Sequence, residues 1–538
     1  MKHLLALSLL LLSSECFGQP APVVHTNSGP VRGEVKETFL LKKKYLSFRG
    51  IPYAKPPLGD LRYQPPVPAE PWQEILNATK DAPACPQIDE VNNNRYVGDE
   101  DCLYINVFSP ITSSKTHVHK KAVMLWIYGG SFNAGSSLTS FYGPDMLVDQ
   151  DIVLVTFNYR LGALGFLSLS RSEALGNAGM KDQVLAMHWV QQNIAKFGGD
   201  PRRVTIFGES AGSAAIHFQV LSPLTKGLYV RAIAMSGSSI SPWAFHTADQ
   251  AMNEAKKLAN YLGSNAQDSD ALWQFYKNAP AKDLVNGSQY MDGVTQTLTI
   301  PFRPSIELNR PGAFITDCPI SLYKTGRFNK VPLMMGQTKE EALGFTRPGY
   351  TGTNDTWTEF DGLIDIGKDV FDRFAKGSYD VFLTDYYYTA PTDLTRKIIK
   401  QQDSSIPIYS YIFEFDSPYA WHRQNGENLN GTAHADDLQY VFHNEMTREP
   451  TDPNDPVNLF RRKVSAMWAN FAKCGNPTPP HYNPSNVVWE ESGPRGLQMN
   501  INTEDKIQLP DISPRTRQME DYMEQTIPAK TGCTRRNK

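Results

Sequence analysis

The sequence predicts an α/β fold built on a mostly parallel sheet, and three features of the pattern carry that prediction. Nearly continuous apolar runs occur at 122–128 and 152–157 and again just before Gly208, which is typical of strands buried on both faces of a parallel sheet. Apolar residues recur at helical spacing over 180–197, and a Gly-Gly-Asp-Pro segment then ends the helix. Strand, helix and strand in succession form an α/β unit.

The later part of the chain continues this alternation. Residues 103–108 alternate as a half-buried strand, whereas the proline-rich segment 47–57 is expected to be an irregular crossover on the sheet surface. Further strands are predicted at 232–235, 331–335 and 408–415, mostly helical insertions at 250–290 and 355–402, and late helices at 457–472 and 515–523. Since we find no repeat, low-complexity block or linker, residues 19–538 are predicted to form a single domain with helical insertions and a short C-terminal tail.

Composition excludes several classes of partner. The 538 residues are 41% hydrophobic, enough for a large core, and a formal net charge of −3 with interspersed signs gives no basic stripe. Nucleic acid and anionic membrane surfaces are therefore not expected as partners. No segment after the N-terminal run reaches the roughly 18 uncharged residues of a membrane helix, so no membrane anchor is expected.

The N-terminus predicts export. Lys2 and His3 precede the apolar run 4–12, and small residues follow, so residues 1–18 are predicted to be a signal peptide cleaved after Gly18. Glycosylation sequons fit a secreted, extracellular protein and begin at Asn77, Asn286, Asn354 and Asn430. The oligomeric state stays open.

Cysteines suit an oxidising compartment. Cleavage of the signal peptide leaves five of the six cysteines, so at least one has no partner within the chain. Cys85 and Cys102 bracket a polar loop, and we expect a local disulfide to close it. The pairing of Cys318, Cys474 and Cys533 stays open.

The central chemical motif is Gly-x-Ser-x-Gly around Ser210. A β-branched and aromatic run ends at Gly208 and a small-residue, helix-compatible segment begins at Ala211, so Ser210 is predicted at a strand-to-helix turn. A turn that pushes a serine hydroxyl off a sheet has no room for neighbouring Cβ atoms, which explains the glycines. The alternative is a Gly/Ser-rich turn without chemistry.

A nucleophilic serine needs a base and an acid, which follow in the order serine, acid, histidine in hydrolases built on such sheets. Acids stand just past the predicted strand 331–335, where sites on parallel sheets lie. Glu341 is the predicted acid and Glu340 is the alternative. The non-catalytic interpretation of either residue is a solvated carboxylate at the start of a helix.

Four histidines follow the acid, and the predicted base is His434, in the loop after the strand at 408–415. The non-catalytic alternative is that His434 is a surface histidine with acidic neighbours. His217, two helical turns after Ser210, is expected to be a packing residue. Backbone N–H donors for an oxyanion are expected from Ala211 and from the glycine-rich loop 128–132.

These residues resemble those of the type-B carboxylesterases, the cholinesterase-like group with the α/β-hydrolase fold. The similarity runs from about Gly29 to Gly493, and its most specific segments are Glu100–Val107, Phe157–Gly162, Asn177–Gln183, Phe197–Pro201 and Phe207–Gly212. The resemblance implies a central, mostly parallel, twisted sheet flanked by helices.

The resemblance also implies roles for particular residues, and no cofactor or metal. It implies a triad of Ser210, Glu341 and His434, and oxyanion donors at Gly130, Ser131 and Ala211. It further implies a Cys85–Cys102 bridge, ion pairs Arg62–Glu100 and Arg160–Asp182, a supporting Ser236, and Trp243 near the acyl pocket.

The sequence departs from the family pattern at two places. Ser131 stands where a third glycine is usual, which puts a side chain beside the oxyanion loop. The Cys85–Cys102 loop contains no tryptophan, whereas cholinesterases use one there to hold a quaternary ammonium, so a choline-ester specialist is not expected.

The leading hypothesis is a secreted serine carboxylesterase that hydrolyses small apolar esters, with xenobiotic, odorant and hormone esters as candidates. The alternatives are a non-catalytic, cholinesterase-like adhesion protein, in which the nucleophile would be replaced, and a lipase, for which the sequence shows no recognisable lid.

Overall fold

The fold is described from a computed structural model. The description covers residues 22–89, 94–111, 119–290, 300–343, 374, 379–424, 426, 429–510 and 512–530. The predicted signal peptide, Cys16, the sequon at Asn354, Cys533, and residues 355–373 and 375–378 of the predicted helical insertion 355–402 lie outside these ranges.

An 11-stranded sheet organises the molecule. In chain order, strands β1 to β18 are Val23–His25, Pro30–Arg32, Glu34–Glu37, Lys44–Pro52, Leu76–Asn77, Gln87–Asp89, Arg95–Val97, Tyr104–Pro110, Lys121–Ile127, Val153–Phe157, Ser168–Arg171, Ala174–Leu175, Gly199–Glu209, Arg231–Met235, Leu333–Thr338, Ile408–Phe413, Gln498–Ile501 and Lys506–Gln508. The spatial order of the large sheet is β18-β17-β16-β15-β14-β13-β9-β10-β8-β4-β3.

The central strands are parallel and the edges antiparallel. Every pair from β10 across to β17 is parallel, while β8 pairs antiparallel with β10, and β18 pairs antiparallel with β17. All residues of β9 and β10 are buried, as expected for strands covered by helices on both faces.

Helices flank the large sheet. In chain order, α1 to α13 are Asp145–Asp149, Gly162–Phe166, Ala178–Asn193, Ala211–Leu221, Ala248–Tyr261, Ser269–Asn278, Ala281–Tyr290, Pro319–Lys324, Tyr379–Thr384, Ala390–Gln402, Trp421–Gln424, Pro456–Cys474 and Pro514–Lys530. A single π turn, Asp385–Thr389, joins α9 to α10. Within the described helices, none is both long and apolar enough to cross a membrane.

Most predicted elements are present, but the prediction for 47–57 was wrong. Residues Lys44–Pro52 form β4, a regular member of the large sheet, rather than a crossover on its surface. A bulge between Phe48 and Ile51 accommodates Gly50, which has a φ of 73°, so the glycine bends the strand without ending it, and Pro52 is its last residue.

Covalent and ionic links confirm further expectations. Cys85 and Cys102 are bonded, with an S–S distance of 2.00 Å. Arg62 contacts both carboxylate oxygens of Glu100, at 2.7 and 2.6 Å. The buried Arg160 binds Asp182 in the same way, at 2.8 and 2.7 Å. Such paired contacts fix the loops around the sheet, because two parallel hydrogen bonds define orientation as well as distance.

The other cysteines divide into two kinds. Cys318 is disulfide-bonded. Cys474, at the end of α12, is an exposed free thiol.

The order of the strands brings the predicted site residues to one edge. The strands β16, β15, β14, β13 and β9 are consecutive neighbours and parallel. Their carboxyl ends therefore lie side by side, and the segments that follow β9, β13, β15 and β16 contain Gly130, Ser210, Glu341 and His434 respectively.

Candidate active site

Ser210 stands on a sharp turn between β13 and α4. Its backbone has φ 58° and ψ −124°, a conformation that non-glycine residues seldom adopt. A Cβ on Gly208 would lie 2.6 Å from the Gly212 carbonyl oxygen, and one on Gly212 would lie 2.1 Å from the Ile127 carbonyl oxygen. Both glycines are therefore required by the close approach of the backbone, which is the geometry that projects a serine off the sheet.

Glu341 and His434, the predicted acid and base, are in direct contact. Nδ1 of His434 lies 2.5 Å from Oε2 of Glu341. The other carboxylate oxygen accepts hydrogen bonds from the Ser236 hydroxyl at 2.5 Å and from the Thr338 N–H at 2.7 Å. Because the Glu341 side chain is fully buried and fully hydrogen-bonded, it fixes both the tautomer and the orientation of the imidazole.

Glu340, the alternative acid, has a different partner. Its Oε2 accepts hydrogen bonds from the N–H and the hydroxyl of Thr432, at 2.9 and 3.0 Å. Because Thr432 lies two residues before His434, this contact connects the loop that contains the histidine to the end of β15. The geometry therefore separates two adjacent glutamates into one that touches the imidazole and one that holds the loop.

Two further carboxyl groups influence His434: Asp437, one of its acidic neighbours in the sequence, and Glu209, which the sequence reasoning missed. Oε1 of Glu209 lies 3.1 Å from Nε2 of His434. Burial raises the pKa of Glu209 to about 7, and the Glu341 charge adds to the rise while His434 opposes it. Burial, with Glu209 and Glu341, also raises the pKa of Asp437, whose Oδ2 accepts a hydrogen bond from the Tyr411 hydroxyl.

These carboxyl groups control the charge of the imidazole. Burial lowers the pKa of His434, but Glu209, Glu341 and Asp437 outweigh it, and the net direction is a rise. Glu209 follows Gly208 in the Gly-x-Ser-x-Gly motif, so its position was visible in the sequence. Its proximity to His434 depends on the fold and could not be seen in the sequence.

The glycine-rich loop after β9 faces Ser210. A Cβ on Gly129 would lie 2.9 Å from the Ser210 Cβ, so the loop and the nucleophile turn are in van der Waals contact. Gly130, Ser131 and Phe132 all have positive φ, of 96°, 53° and 56°. Within the described residues the N–H groups of Gly130 and Ser131 have no hydrogen-bond acceptor, and such a run of left-handed residues turns successive N–H groups to one side.

A cavity of about 420 Å³ opens beside these groups. Ser210, His434, Glu209, Gly130 and Ser131 line it, together with mostly aromatic side chains: Phe141, Tyr142, Trp243, Tyr387, Tyr388, Trp421 and Phe442. The Tyr388 ring lies 5.1 Å from the His434 ring, centroid to centroid. The volume falls within the range of small-ligand pockets.

Trp243, predicted near the acyl pocket, is a buried part of this cavity wall. Its carbonyl oxygen accepts a hydrogen bond from Arg303 at 3.0 Å, which fixes the backbone. Its indole N–H is buried and has no hydrogen-bond partner among the described residues.

Other predicted residues lie away from the cavity. His217 is buried in α4 against the Tyr323 hydroxyl at 2.8 Å, and burial lowers its pKa to about 4, as expected for a packing residue. Among the sequons, Asn77 and Asn430 are exposed. Asn286 lies on α7, where Ser288 of the same sequon is buried and donates to the Leu284 carbonyl.

Comparison with known proteins gives a consistent picture. The profile of the Carboxylesterase family matches residues 20–365 and 365–524. A juvenile hormone esterase from Tribolium castaneum is 33% identical over 506 residues, 86% of this chain and 85% of that protein. A carboxylic ester hydrolase from Bombus ignitus is 35% identical over 537 residues, 91% of this chain and 92% of that protein.

A solved structure matches the whole fold. The crystal structure of juvenile hormone esterase from Manduca sexta, with OTFP covalently attached, superposes with a TM-score of 0.79 at 30% identity. The match covers 94% of this chain and 99% of that one. The chain therefore belongs to the carboxylesterase family, has the α/β-hydrolase fold, and is a carboxylic ester hydrolase.

Proposed function

We propose that this protein is a secreted serine esterase in which Ser210 is the nucleophile, His434 the base and Glu341 the acid, with an acyl-enzyme intermediate. The observation that carries the proposal is the relay from Ser236 through Glu341 to His434, with successive distances of 2.5 and 2.5 Å, ending beside Ser210 in one cavity.

The first half of the reaction forms the acyl-enzyme. Nε2 of His434 takes the proton of the Ser210 hydroxyl as its oxygen attacks the ester carbonyl carbon. The carbonyl oxygen becomes an oxyanion, which the N–H groups of Gly130, Ser131 and Ala211 stabilise. His434 then gives its proton to the alkoxy oxygen, the carbonyl–oxygen bond breaks, and the alcohol leaves.

The second half releases the acid. Nε2 of His434 takes a proton from water, whose oxygen attacks the acyl carbon, and the same N–H groups hold the second oxyanion. The proton returns to Ser210 as the bond to the acyl group breaks. In both halves His434 becomes positively charged, so the buried carboxylates of Glu341 and Glu209 stabilise the transition states.

The cavity supports small apolar esters as the substrate class. Its aromatic walls favour apolar acyl and alcohol groups, and lining lysine or arginine side chains are absent among the described residues. The named relatives include juvenile hormone esterases, which makes hormone esters a candidate alongside xenobiotic and odorant esters.

Secretion is the proposed fate. The N-terminal apolar run, the Cys85–Cys102 bond and the exposed sequons at Asn77 and Asn430 support it. Expression in a secreting host, with analysis of the medium for a glycosylated chain beginning at residue 19, tests this part.

The activity is tested by replacing the nucleophile. Ser210→Ala should lose nearly all turnover of a chromogenic short-chain ester and all labelling by an organophosphate, while circular dichroism shows an intact fold. The matched control is Ser131→Ala, which keeps the backbone N–H and should remain active. Near-normal turnover by a folded Ser210→Ala variant would refute the assignment. A panel of esters with varied acyl and alcohol groups then defines the substrate.

A further inference from the structure

His422 is a buried histidine outside the proposed triad, and each of its ring nitrogens faces an oxygen. Nδ1 lies 2.6 Å from Oδ2 of Asp436. Nε2 lies 3.0 Å from the Leu429 carbonyl oxygen. The side chain is 4% exposed, so water does not take the place of either partner.

This pair of contacts determines the protonation state. A backbone carbonyl oxygen and a carboxylate oxygen are acceptors only, so both ring nitrogens must carry hydrogen. His422 is therefore an imidazolium when both contacts are made. Three groups bear on its charge: Asp436 across the loop, Arg423 beside it on α11, and Asp416, which pairs with Arg423 at 2.7 Å.

The balance of these groups favours the imidazolium. Burial lowers the pKa of His422 and the Arg423 charge lowers it further, but the hydrogen bonds to Asp436 and Leu429 outweigh both and the net direction is a rise. The two-donor form is thus kept to higher pH than in an ordinary histidine, and it is lost as the pH rises through this raised pKa.

The two oxygens that His422 binds lie on either side of His434 in the chain. We call residues 429–437 the base loop, because it contains His434. Asp436 also accepts hydrogen bonds from the N–H of His422 at 3.2 Å and the N–H of Ala433 at 2.7 Å. The imidazolium therefore connects the beginning of the base loop to its end and to the residue before the base.

We infer that His422 is a positioning residue for catalysis: its imidazolium joins Leu429 to Asp436 and so holds the base loop in the shape that presents His434 to Glu341 and Ser210. This inference rests on the proposed role of His434. It adds a residue that touches neither the substrate cavity nor the reacting atoms.

The inference predicts an alkaline limit to turnover. Loss of one proton leaves a ring lone pair facing either a carboxylate or a carbonyl oxygen, and that end of the loop is released. A misplacement of a catalytic group by about 1 Å can cost on the order of 10²-fold in rate. The value of kcat should therefore fall as the pH rises through the raised pKa of His422.

The test compares the pH profiles of kcat for wild type, His422→Gln, Asp436→Asn and His217→Gln on a chromogenic short-chain ester. His422→Gln should lower kcat by about 10- to 100-fold near neutral pH and abolish the alkaline limb. Asp436→Asn should move the limb to lower pH, because it removes the charge that favours the imidazolium. His217→Gln removes another buried imidazole and should keep the wild-type limb.

Organophosphate titration counts folded active sites in each variant, so that kcat refers to competent enzyme. Should His422→Gln not fold, the direction of the shift in the isosteric Asp436→Asn variant still decides. An alkaline limb identical in wild type and Asp436→Asn, or wild-type kcat in His422→Gln, would overturn the inference. Activity in Ser210→Ala would instead overturn the proposed function, so the two failures are separable.

Discussion

Replacing Glu209 by glutamine should move the acid limb of catalysis to lower pH. The base must be neutral to take a proton, so kcat/KM is low below the pKa of His434 and rises above it. Glu209 raises that pKa. Its removal therefore lowers the pKa, and hydrolysis should persist into more acidic solution than in wild type.

The magnitude follows from the separation of Nε2 and Oε1, which is 3.1 Å. Two unit charges at this distance interact by about 1 kcal/mol in a water-like medium and by about 5 kcal/mol at an effective dielectric constant of about 20. One pKa unit corresponds to about 1.4 kcal/mol, so the expected shift is between about one and four pH units. Because the pKa of Glu209 is about 7 and that of His434 is about 9, Glu209 carries its charge in the pH range where His434 titrates, and its removal should be felt in full.

The plateau rate should fall in the same variant. The imidazolium that forms in both transition states loses one of its carboxylate neighbours, and a loss of about 1.4 kcal/mol is tenfold in rate. The assay is kcat/KM from about pH 5 to about pH 11 with a chromogenic ester, so that the range extends past the pKa of His434, which is about 9. The matched control is Glu445→Gln, the same chemical change at an exposed position, whose charge is screened by solvent. An acid limb that moves equally in both variants, or in neither, would refute the reasoning.

Three further predictions concern the supports of the site. Ser236→Ala removes the hydroxyl that binds Glu341 at 2.5 Å and should lower kcat by about tenfold or more, as measured in organophosphate-titrated enzyme; unchanged kcat would show that Thr338 alone orients the acid. Ser131→Gly should raise the free energy of unfolding by about 1 kcal/mol, because it relieves a φ of 53°, and should keep hydrolysis, with gains for bulky esters; denaturant titration and the ester panel check both parts, and a less stable variant would contradict the strain argument. Cys102→Ser opens a loop with a sequence separation of 17 and should lower the free energy of unfolding by about 3 kcal/mol, whereas Cys474→Ser, which changes an exposed free thiol, should leave it unchanged.

The sequence was sufficient where the determinant is local. The strand β9 is one apolar run, and the turn at Ser210 needs glycines at fixed offsets, so both were visible within a few residues of sequence. The order of serine, acid and histidine then selected Glu341 and His434 as a pair that the structure brings into contact.

The sequence was insufficient where partners come from distant segments. Nothing near Glu209 indicates that it contacts His434, because that proximity depends on the packing of the turn after β13 against the loop after β16. His422 likewise lies 14 residues before Asp436. The last two strands, β17 and β18, were also missed, since short segments with polar residues such as Gln498 and Asn500 give a weak strand pattern.

The segment 47–57 was misassigned for a physical reason. Prolines at 52, 56 and 57 and a glycine at 50 normally interrupt a strand. Here the bulge accommodates the glycine, and the first proline stands at the last position of β4. These residues therefore mark the bend and the end of a strand, although the sequence pattern suggested that no strand was present.

The π turn between α9 and α10 has an evolutionary consequence. A π turn holds one more residue than the α-helical turn it replaces, and this one contributes Tyr387 and Tyr388 to the cavity wall. Deletion of a single codon here would restore α-helical winding and rotate the preceding side chains by about 100° around the helix axis. The two tyrosines could thus leave the cavity in one genetic step that no point substitution reproduces. We expect insertions and deletions at this turn to reshape the cavity wall without touching the proposed triad.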